Sequence, residues 1–449
     1  MPVHSASRNA WVFLLPSLLG IFLFMTPVPF EGNVTIPIAI MAKSLLAHLG
    51  DHAVPLITGL VVLSALLTIL TKLLRPAFVM KSPVLQGLFN PSWLWSLTRI
   101  AGALAMVLTF TQVGPAIIHS ENTGGLVLND LLPTLLCVFL FAGLLLPLLI
   151  NFGLLELIGA LLTRLMRPLF NLPGRAAVTS FASWLGDGSV GVLMTSKQYE
   201  QNLFTEREAA VIGTTFTAVS VTFSLVVIST VGLEAYFLPF YGTVCLAGLV
   251  AAIIVPRLPP LSRKADRFAD GRLREGDDEV VPAGQSSVGY GYRMALARAD
   301  QIKGAKGVVK EGVINAADMI LGVLPVVMAI GTLALIIAET TPLFQWLGAP
   351  FVPLLELLQI PDAHQASTTV VVGFADMFLP AIMAASIDSE LTRFVIAALS
   401  VSQLIFMSET GALMLGSKVP VTLWELFLIF ILRTLVVLPV IALMGHWLF

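Results

Sequence analysis

Charge is what this chain has least of: Asp, Glu, Lys and Arg make up 12% of its 449 residues, against 57% hydrophobic. A soluble protein of this length could not bury so much apolar surface, and a mean hydropathy of +0.92 indicates a polytopic membrane protein. The formal net charge of -2 leaves no basic footprint for nucleic acid, so the basic residues matter by where they sit. Cysteine is nearly absent: Cys137 and Cys245 both fall in apolar runs, which reads as packed thiols rather than a disulfide or a metal pair. The six histidines are scattered, mostly at the ends of apolar runs, so no histidine metal site is expected. A Gly-x-x-x-x-Gly-Lys-Ser/Thr loop is missing, which argues against nucleotide-driven pumping by this chain. A Gly-x-Ser-x-Gly elbow and a His-Glu-x-x-His helix are missing too. No nucleophile and base can be paired from spacing, so neither an enzyme nor a cofactor is expected.

What abounds is apolar sequence in lengths of roughly 20 residues, the span of a membrane helix. Such runs lie near Trp11–Phe30, Val54–Leu74, Trp95–Ile118, Leu128–Ile150, Ala209–Val231, Ala235–Val255, Val313–Ala338, Leu391–Leu413 and Thr422–Leu443, about nine spans by the window criterion. Met1 to Arg8 leads directly into the first run with no small-residue cleavage site, so that run reads as a retained span. Three shorter apolar stretches remain, Val34–Leu49 and two Gly-interrupted ones around Asp187 and Asp376. The last two are too broken to face lipid, but irregular backbone is tolerated where it lines a cavity. They are expected to be re-entrant hairpins near 176–198 and 364–388. With Arg8 inside, the inside loops carry Lys72, Arg75, Lys81, Arg164, Arg167, Arg175, Lys197 and Arg207. The outside loops His119–Gly125, Gly232–Glu234 and Glu339–Asp362 carry no Lys or Arg, with Lys43 and Arg393 as exceptions. The positive-inside rule then predicts a cytoplasmic N-terminus, an outside C-terminus and hairpins entering from opposite faces.

Two stretches, Leu146 to Ser229 and Leu324 to Gly411, run through one order of events: an apolar span with a proline near one end, an amphipathic segment, a Pro-containing turn, a Gly-interrupted stretch with an aspartate, and a Ser/Thr-rich span. Pro173 precedes Asp187 by 14 residues and Pro361 precedes Asp376 by 15, by subtraction. Paired repeats with interrupted helices point to the binding site of a secondary transporter. The expected architecture is an all-α polytopic membrane protein, about nine transmembrane helices plus two re-entrant hairpins in two inverted repeats. Scaffold helices would occupy 1–126, a first module 127–256, a cytoplasmic linker 257–312 and a second module 313–449. The linker holds eleven basic positions from Arg257 to Lys310 beside the acidic Glu275-Gly-Asp-Asp-Glu279. Its Gly, Ser and Pro content around Pro282 to Gly291 reads as flexible. Tyr292 to Val309 reads as a basic amphipathic helix on anionic lipid or as a solvated connector.

Asp187, flanked by Gly186 and Gly188, is the sharpest single residue, because a carboxylate at membrane depth costs at least about 2.5–3.5 kcal/mol and so faces a cavity, a cation or a partner. The alternative is that it caps the second hairpin arm. Asp376 holds the matching position. Behind each hairpin comes a polar span, Thr214 to Ser224 and Ser400 to Thr410, whose hydroxyls satisfy freed backbone groups or bind a polar solute. Asp187, Asp376 and Glu409 are the candidates for a coupling Na+ or H+ or for a positive group. Ser189, Thr217, Ser220, Thr222, Ser402 and Gln403 are the candidates for hydrogen bonds to the solute. Asp318 and Arg433 read as a candidate structural ion pair.

At these residues the chain resembles the YjiH family, whose nucleoside-recognition (Gate) domain also occurs in concentrative nucleoside transporters, in the membrane part of ferrous-iron transporters and in spore-maturation membrane proteins. The resemblance covers roughly Leu145 to Val231 and Leu321 to Val440. It implies interfacial helices at Leu154–Phe170 and Leu343–Leu358, opposed hairpins at Asp187 and Asp376, and partly unwound helices after Arg207 and Leu391, together moving against a scaffold. The chain has Gly186-Asp-Gly-Ser189 where nucleoside transporters carry a base-binding Gly-Gln-Thr-Glu motif, and Ala375-Asp-Met377 where they place an Asn-Glu pair. The GTPase domain of the iron transporters and a cysteine ligand cluster are lacking, which counts against iron.

The expected function is secondary active transport of a small polar solute, nucleoside-like, amino acid or peptide-like, coupled to H+ or Na+ in a bacterial inner membrane. The partners expected are the bilayer, the solute, and a second copy or a small membrane subunit. The alternative is a non-transporting Gate-domain protein that packs on or regulates another membrane subunit.

Overall fold

The computed structural model describes residues 3–30, 33–185, 188–216, 219, 221–276, 281–282, 285–302 and 304–449. Helix α1 (Val3–Met25) leads into a short antiparallel ribbon, β1 (Val28–Phe30) with β2 (Asn33–Thr35), in which Val28 faces Thr35. Helix α2 (Pro37–Leu49) begins on a proline and runs 13 residues, about 20 Å at 1.5 Å per residue and short of a hydrocarbon core of about 30 Å. At Gly50, with φ +47°, the chain turns into α3 (Ala53–Leu74); α4 (Trp93–Thr111) follows. Among the described residues six helical stretches are long and apolar enough to cross a membrane: Pro37–Leu74, Trp93–Thr111, Ala116–Ile150, Glu234–Arg257, Ala305–Thr340 and Leu423–Leu448. The chain is thus an all-α, multi-pass membrane protein. Of the nine expected runs, that at Trp11–Phe30 is found among the shorter apolar helices, Ala10–Met25, and those at Ala209–Val231 and Leu391–Leu413 are interrupted.

From residue 127 onward one order of elements occurs twice. A π-helical turn, Val127–Leu131, opens α5 (Leu132–Ile150); then come α6 (Leu154–Phe170), the paired α7 (Ala176–Leu185) and α8 (Gly188–Glu200), the halves α9 (Glu206–Thr215) and α10 (Val221–Thr230), and α11 (Phe237–Ile254). Helices α12 (Ser287–Ala299) and α13 (Ala305–Asp318) connect to a second π turn, Met319–Val323, which opens α14 (Leu324–Thr340). After it come α15 (Leu343–Gly348) with α16 (Val352–Leu357), α17 (Ala363–Val370) with α18 (Leu379–Ala384), α19 (Glu390–Ser402) with α20 (Thr410–Gly416), and α21 (Leu423–Leu448). Local chemistry repeats as well. Each π turn runs into a Leu-Pro pair, Leu132-Pro133 and Leu324-Pro325, where the missing proline N–H leaves the preceding turn to widen. Helix α9 starts on a capping box, Thr205 Oγ1 accepting from Glu208 N and the Glu208 carboxylate from Thr205 N. Helix α19 starts on Ser389, whose hydroxyl accepts from Thr392 N at 3.2 Å, with Glu390 in the first turn.

The two copies interlock. Helices α5 and α13 cross at glycines, since a Cβ on Gly143 would stand 2.6 Å from Ala316 Cα and one on Gly312 would meet the Leu144 carbonyl. The second arm of each hairpin packs on the last half of the other copy's broken helix, α8 on α20 and α18 on α10. Helix α21, 26 residues long and so about 39 Å, gives the molecule two ends. At one end Lys264 bridges Glu425 at 2.8 Å and Glu206 at 3.9 Å, beside the base of the α7–α8 hairpin, where Asn202 Oδ1 accepts from Asp270 N. At the other His446 meets the Leu358 carbonyl at 2.8 Å, beside the base of the α17–α18 hairpin, where Thr392 donates to the Pro361 carbonyl.

The segment read as a flexible linker is docked over most of its described length. Residues 265 and 267 accept from the Arg207 and Glu206 amides. Arg274 and Arg167 converge on the buried Glu208 at 2.5 and 2.7 Å. Helix α12 lies on α6 and α1, Gly291 against Ala160 and Tyr292 edge-on to Phe13 at 6.1 Å. Its docking face is small-residue and aromatic, a feature that a count of charges does not reveal.

Candidate functional site

The second hairpin turns at Ala375 to Met377, and Asp376 organises the turn. Its Oδ1 accepts from the amides of Phe378 at 2.7 Å and Leu379 at 3.3 Å, opening α18, and its Oδ2 accepts from Ser408 Oγ at 2.7 Å. Ser408 belongs to the unwound stretch between α19 and α20. That stretch lies alongside the hairpin tip, Met407 N on the Phe374 carbonyl and Ser408 N on the Ala375 carbonyl, each at 2.8 Å. Inside the break Leu404 has φ +63°, and Thr410 Oγ1 donates to the Leu404 carbonyl and accepts from Phe406 N. The freed backbone groups of an interrupted membrane helix are therefore met by the hairpin and by a hydroxyl.

Against this surface lies a cavity of about 430 Å³. Its lining takes Asp376, Ser408, Glu409 and Thr410 from the second hairpin and the unwound stretch, Gly188 from the start of α8, Asp130 and Thr134 from the opening of α5, and Phe223, Phe378 and Phe406 among its apolar residues. Phe223 and Phe378 meet edge to face at 5.8 Å. Three carboxylates face the cavity, and no Lys or Arg is among the described residues lining it. No three acids, histidines or cysteines among the described residues stand close enough to hold one metal ion. Ligand cavities in general combine an apolar lining with a few polar groups that fix orientation, and this lining has that composition.

Of the residues singled out from sequence, Gly188, Asp376 and Glu409 meet in this cavity. Ser189 is buried in the first turn of α8. Ser402 and Gln403 line no part of it. Ser402 borders a separate small cavity of about 30 Å³ with Arg433, and the Gln403 amide is spent on protein, donating to the Val370 carbonyl and Thr434 Oγ1 at 2.9 Å each. Gly186, Asp187, Thr217 and Ser220 lie outside the described residues, as does the side chain of Thr222. Asp130 was missed. Its signal was an acid inside the Leu128–Ile150 apolar run, three residues before a proline. Asp318 and Arg433 do not pair: Asp318 takes Lys197 at 2.5 Å, with Glu200 on the same ammonium at 3.1 Å, and Arg433 binds backbone carbonyls.

Residues 132–234, from the start of α5 to the turn before α11, match the Gate family, described as nucleoside recognition. The protein BpOF4_10220 of Alkalihalophilus pseudofirmus is 49% identical over 440 residues, 98% of this chain and 95% of that protein. The chain belongs to the same family. A solved chain, "Structure of CNTnw in an inward-facing substrate-bound state", is similar over 91% of this chain and 97% of its own at 14% identity and a TM-score of 0.34, too low for the likeness to bear on the site. The Gate match contains the whole α7–α8 hairpin and the α9–α10 interrupted helix, and so Gly188 of the cavity lining.

Proposed function

We propose that this family member is a secondary active transporter that moves a small polar solute through the cavity at Asp376. The observation that carries the reading is the cavity's place: it lies where a hairpin tip, an unwound helix and the start of the opposite hairpin arm meet, the arrangement in which paired-repeat transporters bind substrate. The repeats are inverted, the hairpins enter from opposite faces of a bacterial inner membrane, and the N-terminus is cytoplasmic. The solute carries a positive group, as an amino acid, a short peptide or a basic nucleoside-like molecule does, which Asp130, Asp376 and Glu409 balance. Asp187, Thr217, Ser220 and Thr222 complete the site from the first copy, and coupling runs through protonation of a cavity carboxylate or through Na+ near Asp187 and Asp376.

The test is thermal stabilisation of the purified full-length protein by nucleosides, nucleobases, amino acids and short peptides, followed by uptake of any hit into proteoliposomes. A ligand in hundredfold excess over its Kd raises stability by about 2.7 kcal/mol. Asp376→Asn and Glu409→Gln should abolish that shift while the proteins remain folded. Binding without uptake, or no ligand from any class, would favour a Gate module that packs on another membrane subunit.

A further inference from the structure

Arg433 is among the largest fully buried side chains of the molecule, 1% exposed at the middle of α21. No carboxylate pairs with it among the described residues. Its Nε donates to the Ser402 carbonyl at 2.6 Å and its Nη1 to the Thr215 carbonyl at 3.4 Å. Those carbonyls belong to the final residues of α19 and α9, the first halves of the two interrupted helices. Helix α9 starts beside Lys264 at one end of the molecule, and α19 starts at the other, where Arg393 donates to the Val231 carbonyl. The two halves thus run inward from opposite ends, and both terminate on one guanidinium.

A helix C-terminus carries unpaired carbonyls and about half a negative charge, and in membrane transporters such half-helix ends hold alkali cations. Two such ends meeting on one buried side chain call for a positive charge. Further oxygens stand close by: Ser402 Oγ is buried with no hydrogen-bond partner, and the small cavity of about 30 Å³ touches Thr215, Ser402 and Arg433 together. We propose that Arg433 is a tethered cation, filling from within a monovalent-cation site formed by the converging ends of the interrupted helices. The wild-type protein then binds no Na+ at this point, and removing the guanidinium opens a site for one. This holds whether or not a solute crosses the protein.

Thermal unfolding of the purified full-length protein in NaCl, KCl and N-methylglucamine chloride at equal ionic strength tests it. Wild type and Arg433→Lys should respond alike to the three salts, any Na+ effect at the Asp376 cavity being common to both. Arg433→Gln should melt lower in N-methylglucamine and regain stability in NaCl along a saturating curve of the form ln(1 + [Na+]/Kd), with the introduced amide oxygen as one more ligand. A folded Arg433→Gln protein whose response to Na+ is no larger than that of wild type overturns the proposal. Should Arg433→Gln fold in no salt, Arg433→Lys decides. A folded lysine variant that responds to the salts as wild type does supports a requirement for charge, and a lysine variant lost alongside the glutamine one overturns it.

Discussion

Asp376 does two jobs that one substitution cannot separate but two can. As Asp376→Asn the side chain keeps an oxygen for the amides of Phe378 and Leu379 and can still meet Ser408, so the turn should survive with the charge gone. As Asp376→Ala the cap of α18 is lost, at about 1 kcal/mol, and Ser408 loses its acceptor. The expected outcome is a melting temperature near wild type for the asparagine variant and a clear drop for alanine, with ligand-induced stabilisation missing from both. An asparagine variant as unstable as the alanine one would make the charge a structural requirement. Asp376 was legible because an acid between apolar residues behind a Gly stands out at membrane depth. Gln403 was equally visible as a costly polar group, yet its partners Val370 and Thr434 lie 33 and 31 residues away, and no spacing rule joins them. Asp130 sits on a π turn, a register slip that moves the side chain to a face no α-helical count would give it.

At the scale of elements, Lys197, 4% exposed, ties α8 to α13 with the partly exposed Asp318 and Glu200 on its ammonium, so the cost of a buried pair is an upper bound here. Breaking a buried ion pair from one side costs about 3–5 kcal/mol because it strands the other charge, whereas replacing both partners by apolar groups is often neutral. Lys197→Met strands two acids and should lower the melting temperature sharply. Asp318→Leu leaves Glu200 on the ammonium and should cost less, and the Lys197→Met/Asp318→Leu pair should be more stable than the single lysine variant. A double variant whose loss is the plain sum of the singles would mean the pair carries no coupling. The sequence reading placed Lys197 in a cytoplasmic loop, because a positive charge is a good marker of loops and a poor one of buried pairs. Residue patterning read the two broken helices as full spans, and only the family resemblance implied that they are partly unwound; the paired arms followed from the glycines and prolines that bracket them.

For the whole molecule, the inverted arrangement is a claim about sides, and sides can be measured. Glu275 is exposed in the segment that ties Lys264 and Arg274 to the start of α9, and Asp388 is exposed at the base of the second hairpin, just before α19. The two positions belong to opposite ends of α21, about 39 Å apart along a 26-residue helix, more than a hydrocarbon core of about 30 Å. In a Cys137→Ala/Cys245→Ala background, Glu275→Cys should react with a membrane-impermeant maleimide only in inside-out vesicles, and Asp388→Cys only in right-side-out ones. Labelling of both from one side would sink the inverted reading, because a helix that separates Lys264 from Leu358 would then not cross the bilayer. Reversed labelling, each from the unexpected side, would keep the inversion and overturn only the cytoplasmic N-terminus, since Arg433 would still stand between half-helices arriving from the two faces. Orientation was read from loop charges alone, Lys197 among them, and the pairing of that residue with Asp318 removes one of those charges from the count while the Lys264 to Arg274 segment keeps the majority at the same end.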